Sequence, residues 1–217
     1  MFAEFLGTAL FVFIGAGSVV ANAMTAGGVT PLGIALAHGV GMAILISSLM
    51  GISGGHLNPA VSLGVFVAGR IDGRTLGRYV VAQLVGGIAG AALVKLLFAA
   101  TAVRAVIAGA PQLSLNIGFG QGVAIEAAFT FFLVSAVFGT AVSSEAPKIG
   151  GFGIGLAIFV SALVVGGLTG AALNPARAFG PALIAWSWNA QGVYWIGPLA
   201  GGALAGLVWR VLLLPKA

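Results

Sequence analysis

Hydrophobic positions along this 217-residue chain run in long blocks rather than in the two-residue alternation of a half-buried strand. Six blocks predict spanning helices, over Phe2 to Ala23, Leu32 to Ile52, Leu76 to Phe98, Gly118 to Thr140, Gly151 to Leu168 and Gly192 to Leu214. Each is near the ~20 residues that cross a ~30 Å hydrocarbon core. Two further apolar stretches, Pro59 to Ala68 and Pro175 to Ala185, lie between blocks two and three and between blocks five and six. At 1.5 Å per residue each is roughly 15 Å long, half of that core. Backbone that breaks at membrane depth is tolerated only where protein buries it or where it lines a watery cavity, so two half-length helices imply an aqueous path. The expected fold is an all-α membrane protein with six transmembrane helices and two re-entrant half-helices.

Both half-helices open on the same tripeptide, Asn58-Pro59-Ala60 and Asn174-Pro175-Ala176. Asn is a strong N-cap, and Pro suits the first helical position, where its missing N–H costs nothing. Each tripeptide therefore predicts a helix start. One copy is weak evidence for a pore, and the duplication in equivalent places carries the weight.

The duplication extends along the chain. Glu4-Phe5-Leu6-Gly7-Thr8 answers Glu126-Ala127-Ala128-Phe129-Thr130, Ser53 to Ala60 answers Thr169 to Ala176, and Leu84 to Gly90 answers Leu199 to Gly206 approximately. A single channel domain, 1–217, is expected to consist of a first repeat over 1–98, a linker loop over 99–117 and a second repeat over 118–217. Three spans per repeat invert the second copy in the membrane, so the half-helices enter from opposite sides with their N-termini meeting near the midplane.

Composition agrees on the setting: 60% of residues are hydrophobic and only 6% are charged, far too few charges for a soluble domain. Arg70, Arg74, Arg78, Lys148, Arg210 and Lys216 fall on one side of this topology and Lys95 and Arg104 on the other, which predicts both termini in the cytoplasm. The net charge of +5 is then mostly topological. The basic residues are scattered over short loops, so a nucleic-acid partner is not expected. The first apolar segment suits a span better than a signal-peptide core and is expected to direct insertion itself. With no cysteine there is no disulfide framework. Two histidines and four acidic residues offer no plausible metal cluster, and no phosphate loop, cofactor site or other enzymatic signature is found.

A few polar residues stand inside the apolar blocks. Arg177 follows the second tripeptide, and a charge there costs several kcal/mol unless it faces a cavity or finds partners. Asn58 and Asn174 can each cap a helix with the side-chain oxygen while the amide NH2 points into a lumen. Gly86 and Gly90, and Gly202 and Gly206, have the small-xxx-small spacing that allows close packing of the third and sixth spans.

The paired Glu-x-x-x-Thr segments, Ser53-Gly54-Gly55-His56 before the first tripeptide, Asn174-Pro175-Ala176-Arg177 with Phe179-Gly180-Pro181 in the second, and Tyr194-Trp195-x-Gly197-Pro198 in the last span together resemble the aquaporin, or major intrinsic protein, family over essentially the whole chain. Leu36-Ala37-His38-Gly39 and Ala185-Trp186-Ser187-Trp188-Asn189 resemble its plant tonoplast-type branch.

The resemblance implies a passive channel for water and small neutral solutes that excludes protons and ions. It further implies a homotetramer with one pore per protomer. By motif spacing it puts the constriction at His38, Ala162, Ala171 and Arg177, gives Glu4 and Glu126 the task of holding the re-entrant backbone, and places His56 in the vestibule or in loop packing. Narrow, water-only members carry an aromatic and a His at the first two constriction positions. Here His38 and Ala162 imply a wider opening, compatible with ammonia, urea or hydrogen peroxide. Glycerol-type members usually have Asp where Ala178 stands and lack the Tyr194-Trp195 pair, which disfavours a glycerol facilitator. A secondary transporter remains the other reading of inverted repeats with broken helices, and an intramembrane enzyme a distant third.

Overall fold

The structure, a computed structural model, describes residues 1–147 and 149–215. Lys148 and Lys216, two of the charges used to predict orientation, lie outside the described residues. Among the described residues, every regular element is helical. The long helices are α1 (Phe2–Met24), α2 (Thr30–Ser53), α4 (Gly73–Leu97), α6 (Phe119–Val137), α7 (Gly150–Thr169) and α9 (Gln191–Val208). The short ones are α3 (Pro59–Val67), α5 (Ala100–Ala105) and α8 (Pro175–Ala185). Single π-turns, Phe138–Val142 and Trp209–Leu213, extend α6 and α9, so that six segments of 20 to 25 residues are long and apolar enough to cross a membrane.

Local chemistry explains the breaks. α2 and α7 end on glycines in the left-handed conformation, Gly54 (φ 86°) and Gly170 (φ 82°), which turn the chain back toward the half-helices. Asn58 and Asn174 then cap α3 and α8, with Pro at the first helical position of each. Outside the spans, the Asp72 carboxylate caps α4 by accepting from the Thr75 N–H at 2.6 Å, a bond that holds its pKa below the usual carboxylate range. Arg210 donates to the Val67 carbonyl at the end of α3, bringing the C-terminal ends of α3 and α9 together.

The halves interlock. α1 packs on α4 and α6 on α9, while α2 crosses α7 between halves. Each half-helix rests on the last span of the opposite half, α3 on α9 and α8 on α4. α2 and α7 touch at Gly39 and Gly155, where a Cβ on either glycine would run into the other's carbonyl oxygen. The spaced glycines of α4 and α9 serve different neighbours: Gly86 and Gly90 press on α1, and Gly202 and Gly206 on α3. The segment expected to link the halves, 99–117, is not wholly irregular. It contains α5 and a 3-10 turn at Ile107–Gly109, because the segment folds back against α1 rather than crossing the surface as open chain.

Candidate functional site

The centre of the molecule is built from the two capped helix starts. Asn58 Oδ1 accepts from the Ala60 N–H at 2.8 Å, and Asn174 Oδ1 from the N–H groups of Ala176 at 3.0 Å and Arg177 at 3.3 Å. The amide nitrogens reach across: Asn58 Nδ2 donates to the Leu173 carbonyl and Asn174 Nδ2 to the Leu57 carbonyl, both at 2.9 Å. Each amide thus uses one of its two N–H groups to tie the motifs together, leaving the other for the lumen. The two helix N-termini meet, and each carries roughly half a positive elementary charge.

The loops leading to these caps are held by buried carboxylates. Glu4 accepts from the Ser53 hydroxyl (2.6 Å), the backbone N–H groups of His56 (3.0 Å) and Leu57 (2.7 Å), and Gln83 Nε2 (2.8 Å). Glu126 accepts from the Thr169 hydroxyl (2.6 Å) and the N–H groups of Ala172 (3.0 Å) and Leu173 (2.7 Å). Leu57 and Leu173 both adopt left-handed backbone, each at φ 51°. A side chain larger than glycine's is uncommon there, and each leucine is over-determined by the carboxylate on its N–H and the opposite asparagine on its carbonyl. Tyr79 and Tyr194 complete the correspondence, their hydroxyls donating to the carbonyls of Ser53 (2.7 Å) and Thr169 (2.9 Å), the residues that end α2 and α7.

Two cavities flank the meeting point. The outer one, about 510 Å³, is lined by His38, Ala162, Ala171 and Arg177 together with Asn58 and Asn174. The four residues expected at a constriction are therefore brought to one space. The inner cavity, about 140 Å³, is lined by His56, Gly54, Gly55 and Met50, among others. Met42, Asn58, Leu133 and Ile158 line both and form the neck between them.

Arg177 is only 3% exposed. Its guanidinium donates from Nη1 to the Gly109 carbonyl at 2.9 Å and from Nη2 to His38 Nε2 at 3.2 Å. His38 Nδ1 lies 2.9 Å from the Ile34 carbonyl, which can only accept. The proton must then sit on Nδ1, and Nε2 is the acceptor for Arg177, so the imidazole here is neutral. His56 does two things at once. Its Nδ1 pairs with the Ser62 hydroxyl at 3.0 Å and its ring meets Tyr79 edge-on at 5.2 Å, while the side chain borders the inner cavity.

Half-helices meeting N-terminus to N-terminus on paired Asn-Pro-Ala caps, inside six spans, mark one architecture, and comparison with known proteins agrees. The Major intrinsic protein family matches residues 1–209. The chain belongs to that family.

Among its relatives, a probable aquaporin TIP-type of Medicago truncatula is 42% identical over 98% of this chain and 86% of that protein. Aquaporin-8 of Rattus norvegicus is 40% identical over 97% of this chain and 80% of its own. The X-ray structure of the aquaglyceroporin from Plasmodium falciparum superposes with a TM-score of 0.85 at 25% identity, covering 97% of this chain and 94% of that one. This member of the major intrinsic protein family is a multi-pass membrane channel for water and small neutral solutes, akin to the TIP-type aquaporins.

Several residues of the site were not singled out from sequence. Met42, Leu133 and Ile158 form the neck but read in sequence like any other apolar positions. Gly109 contributes only a carbonyl, which no residue identity announces. Gln83 bridges Glu4 and Ser62 from the middle of α4, and a buried Gln in an apolar block was the available signal.

Proposed function

We propose that the channel passes water together with small neutral solutes that need a wide opening, ammonia first among them, with urea and hydrogen peroxide as further candidates. The observation that carries this reading is the lining of the outer cavity, where Ala162 and Ala171 supply two methyl groups alongside His38 and Arg177. Among the four constriction residues bulk comes only from the His38–Arg177 pair, so the side formed by Ala162 and Ala171 is left small. That pair also sets the polarity: His38 spends its acceptor on Arg177, so the side chains here offer a solute mainly N–H donors from the guanidinium. Water, ammonia, urea and hydrogen peroxide all bring an acceptor lone pair.

Exclusion of cations and protons follows from two fixed positive sources on one path, the guanidinium and the facing helix N-termini. At the neck, each asparagine donates one N–H toward a passing oxygen while Met42, Leu133 and Ile158 offer no strong acceptor, an orientation suited to interrupting proton transfer along a water file. A glycerol facilitator is less well supported. Ala178, where glycerol-type members usually carry Asp, is completely buried in an apolar cluster with Val193 and Tyr194. By resemblance we assign a homotetramer with a pore in each protomer, and both termini to the cytoplasm. The grouping of Arg70, Arg74, Arg78 and Arg210 at one end supports that orientation.

The test is solute-by-solute stopped-flow flux in proteoliposomes. Osmotic water flux should proceed with no ion gradient, and ammonia entry should exceed that of empty vesicles. Water flux without any ammonia, urea or peroxide flux would overturn the wide-constriction reading.

A further inference from the structure

We propose that Met42 is a modification site in the neck of the pore: hydrogen peroxide entering the channel oxidises its thioether to the sulfoxide, and the oxidised neck passes less water. This rests on the reading of hydrogen peroxide as a solute the channel admits. The chain has no cysteine and four methionines, so its peroxide-reactive sulfur is all thioether. Their settings differ. Met24, at the end of α1, has 52% of its surface exposed, whereas Met42 is only 2% exposed and by burial alone counts as protected core. Its neighbours on α2 say otherwise. His38, Met42, Ile46 and Met50 recur every fourth residue on one face of that helix, and the face follows the path: His38 borders the outer cavity, Ile46 and Met50 the inner one, and Met42 both. A solute crossing the neck passes against the Met42 side chain.

The neck also supplies what the reaction needs. The thioether sulfur attacks one oxygen of the peroxide, the S–O bond forms as the O–O bond breaks, the proton of the attacked oxygen moves to the departing one, and water leaves. Sulfur gives up two electrons and the peroxide takes them, so no further oxidant or reductant enters. Negative charge builds on the departing oxygen as the bond breaks. Asn58 lines both cavities with Met42, and the spare amide N–H of each asparagine, with the facing starts of α3 and α8, brings donors and positive dipole ends to that charge. The groups that orient a passing water oxygen thus favour cleavage of a peroxide held beside the sulfur. The product changes the neck. A sulfoxide oxygen is a strong acceptor in a wall that had none, so it takes an amide N–H otherwise offered to water, and it adds bulk beside the lumen. Methionine sulfoxide is restored by dedicated reductases, and a pore centre at mid-membrane admits no protein, so the change outlasts the peroxide.

The experiment exposes proteoliposomes to hydrogen peroxide and follows three readings together: peroxide entry by a reporter sealed inside, oxygen gain at each methionine by peptide mass spectrometry, and osmotic water flux by stopped flow. Met42 should gain oxygen at least as fast as the exposed Met24, and water flux should fall in step by about fivefold, the scale on which one hydrogen bond acts. Each variant is judged against its own untreated flux. Met42→Leu, a swap that nearly conserves volume, should keep its flux through the treatment, and Met50→Leu should lose flux as the parent does. If Met42→Leu does not fold, Met42→Ile takes its place. Slower oxidation of Met42 than of Met24 while peroxide enters, an oxidised Met42 with unchanged flux, or a loss in the Met42 variant equal to the parent's overturns the proposal and leaves the peroxide reading standing. Peroxide entry no faster than in empty vesicles overturns that reading and the proposal with it, so the two failures are distinguishable.

Discussion

Asn58 and Asn174 bind each other's loop: the amide nitrogen of each donates, at 2.9 Å, to the carbonyl of the leucine that precedes the other. The residues that cap the two half-helices also join them, so helix starts from opposite halves of the chain share one hydrogen-bonded centre. The pore centre is therefore braced from both halves, and the lumen-facing N–H groups are fixed in direction rather than free to rotate with a passing water.

Replacing either asparagine with alanine removes a cap and a cross-link together. Asn58→Ala should lower stability by about 2–4 kcal/mol, the sum of a lost N-cap and a carbonyl at Leu173 left without its partner. Thermal unfolding in detergent measures this, and a midpoint equal to that of the parent would show that the centre is not braced by these bonds.

Arg177→Val should leave water flux largely intact while raising proton or cation leak, because the fixed charge disappears from a constriction with small walls. Conductance of proteoliposomes under an applied potential reads the outcome. Unchanged leak would remove Arg177 from the exclusion mechanism.

The chain has no cysteine, so its water flux should resist mercurials. Ala171→Cys should introduce sensitivity, since residue 171 lines the outer cavity and a mercury-bearing thiolate there would occupy the lumen. Full water permeability after confirmed labelling would place Ala171 outside the narrow region.

His38→Phe combined with Ala162→His should narrow the opening and move selectivity toward water. The ring added at position 162 fills the small wall, and a phenyl group in place of the imidazole at position 38 can no longer accept from Arg177 Nη2, which returns a donor to the lumen. Stopped-flow assays should show ammonia or urea flux falling much more steeply than water flux. Equal proportional losses would mean that His38 and Ala162 do not set the size limit.

Glu4→Ala should be among the most disruptive single changes, since it strands the His56 and Leu57 N–H groups, the Ser53 hydroxyl and one Gln83 contact in a dry interior. At about 1–3 kcal/mol for each stranded group the loss is several kcal/mol. Glu4→Gln, which keeps one acceptor oxygen, should be milder. Comparable folded yield for Glu4→Ala and the parent in detergent would contradict the bracing role.

The elements and their order were legible in the chain alone. Span length, the half-length of the Pro59 and Pro175 helices and the Asn-Pro caps are local properties, readable from hydrophobicity and from what each residue type does to its own backbone. The repeats also made equivalent positions legible, which is why Glu4 and Glu126 could be paired before any contact was seen. How these parts meet is a property of the folded molecule. The asparagine cross-bonds, the swap that seats α3 on α9 and α8 on α4, and the neck formed by Met42, Leu133 and Ile158 all join residues distant in the chain, whose apolar or amide character is compatible with many partners. The left-handed backbone at Leu57, Leu173 and Ile107 carries no sequence mark either, because it is imposed by hydrogen bonds and close packing that a glycine would have announced and these side chains conceal. Arg177 shows the division most clearly: its charge in an apolar block marked it as a candidate, but its partners, a backbone carbonyl from the linker and the Nε2 of a neutral His38, exist only once α1, α2, α8 and the linker have closed around one cavity.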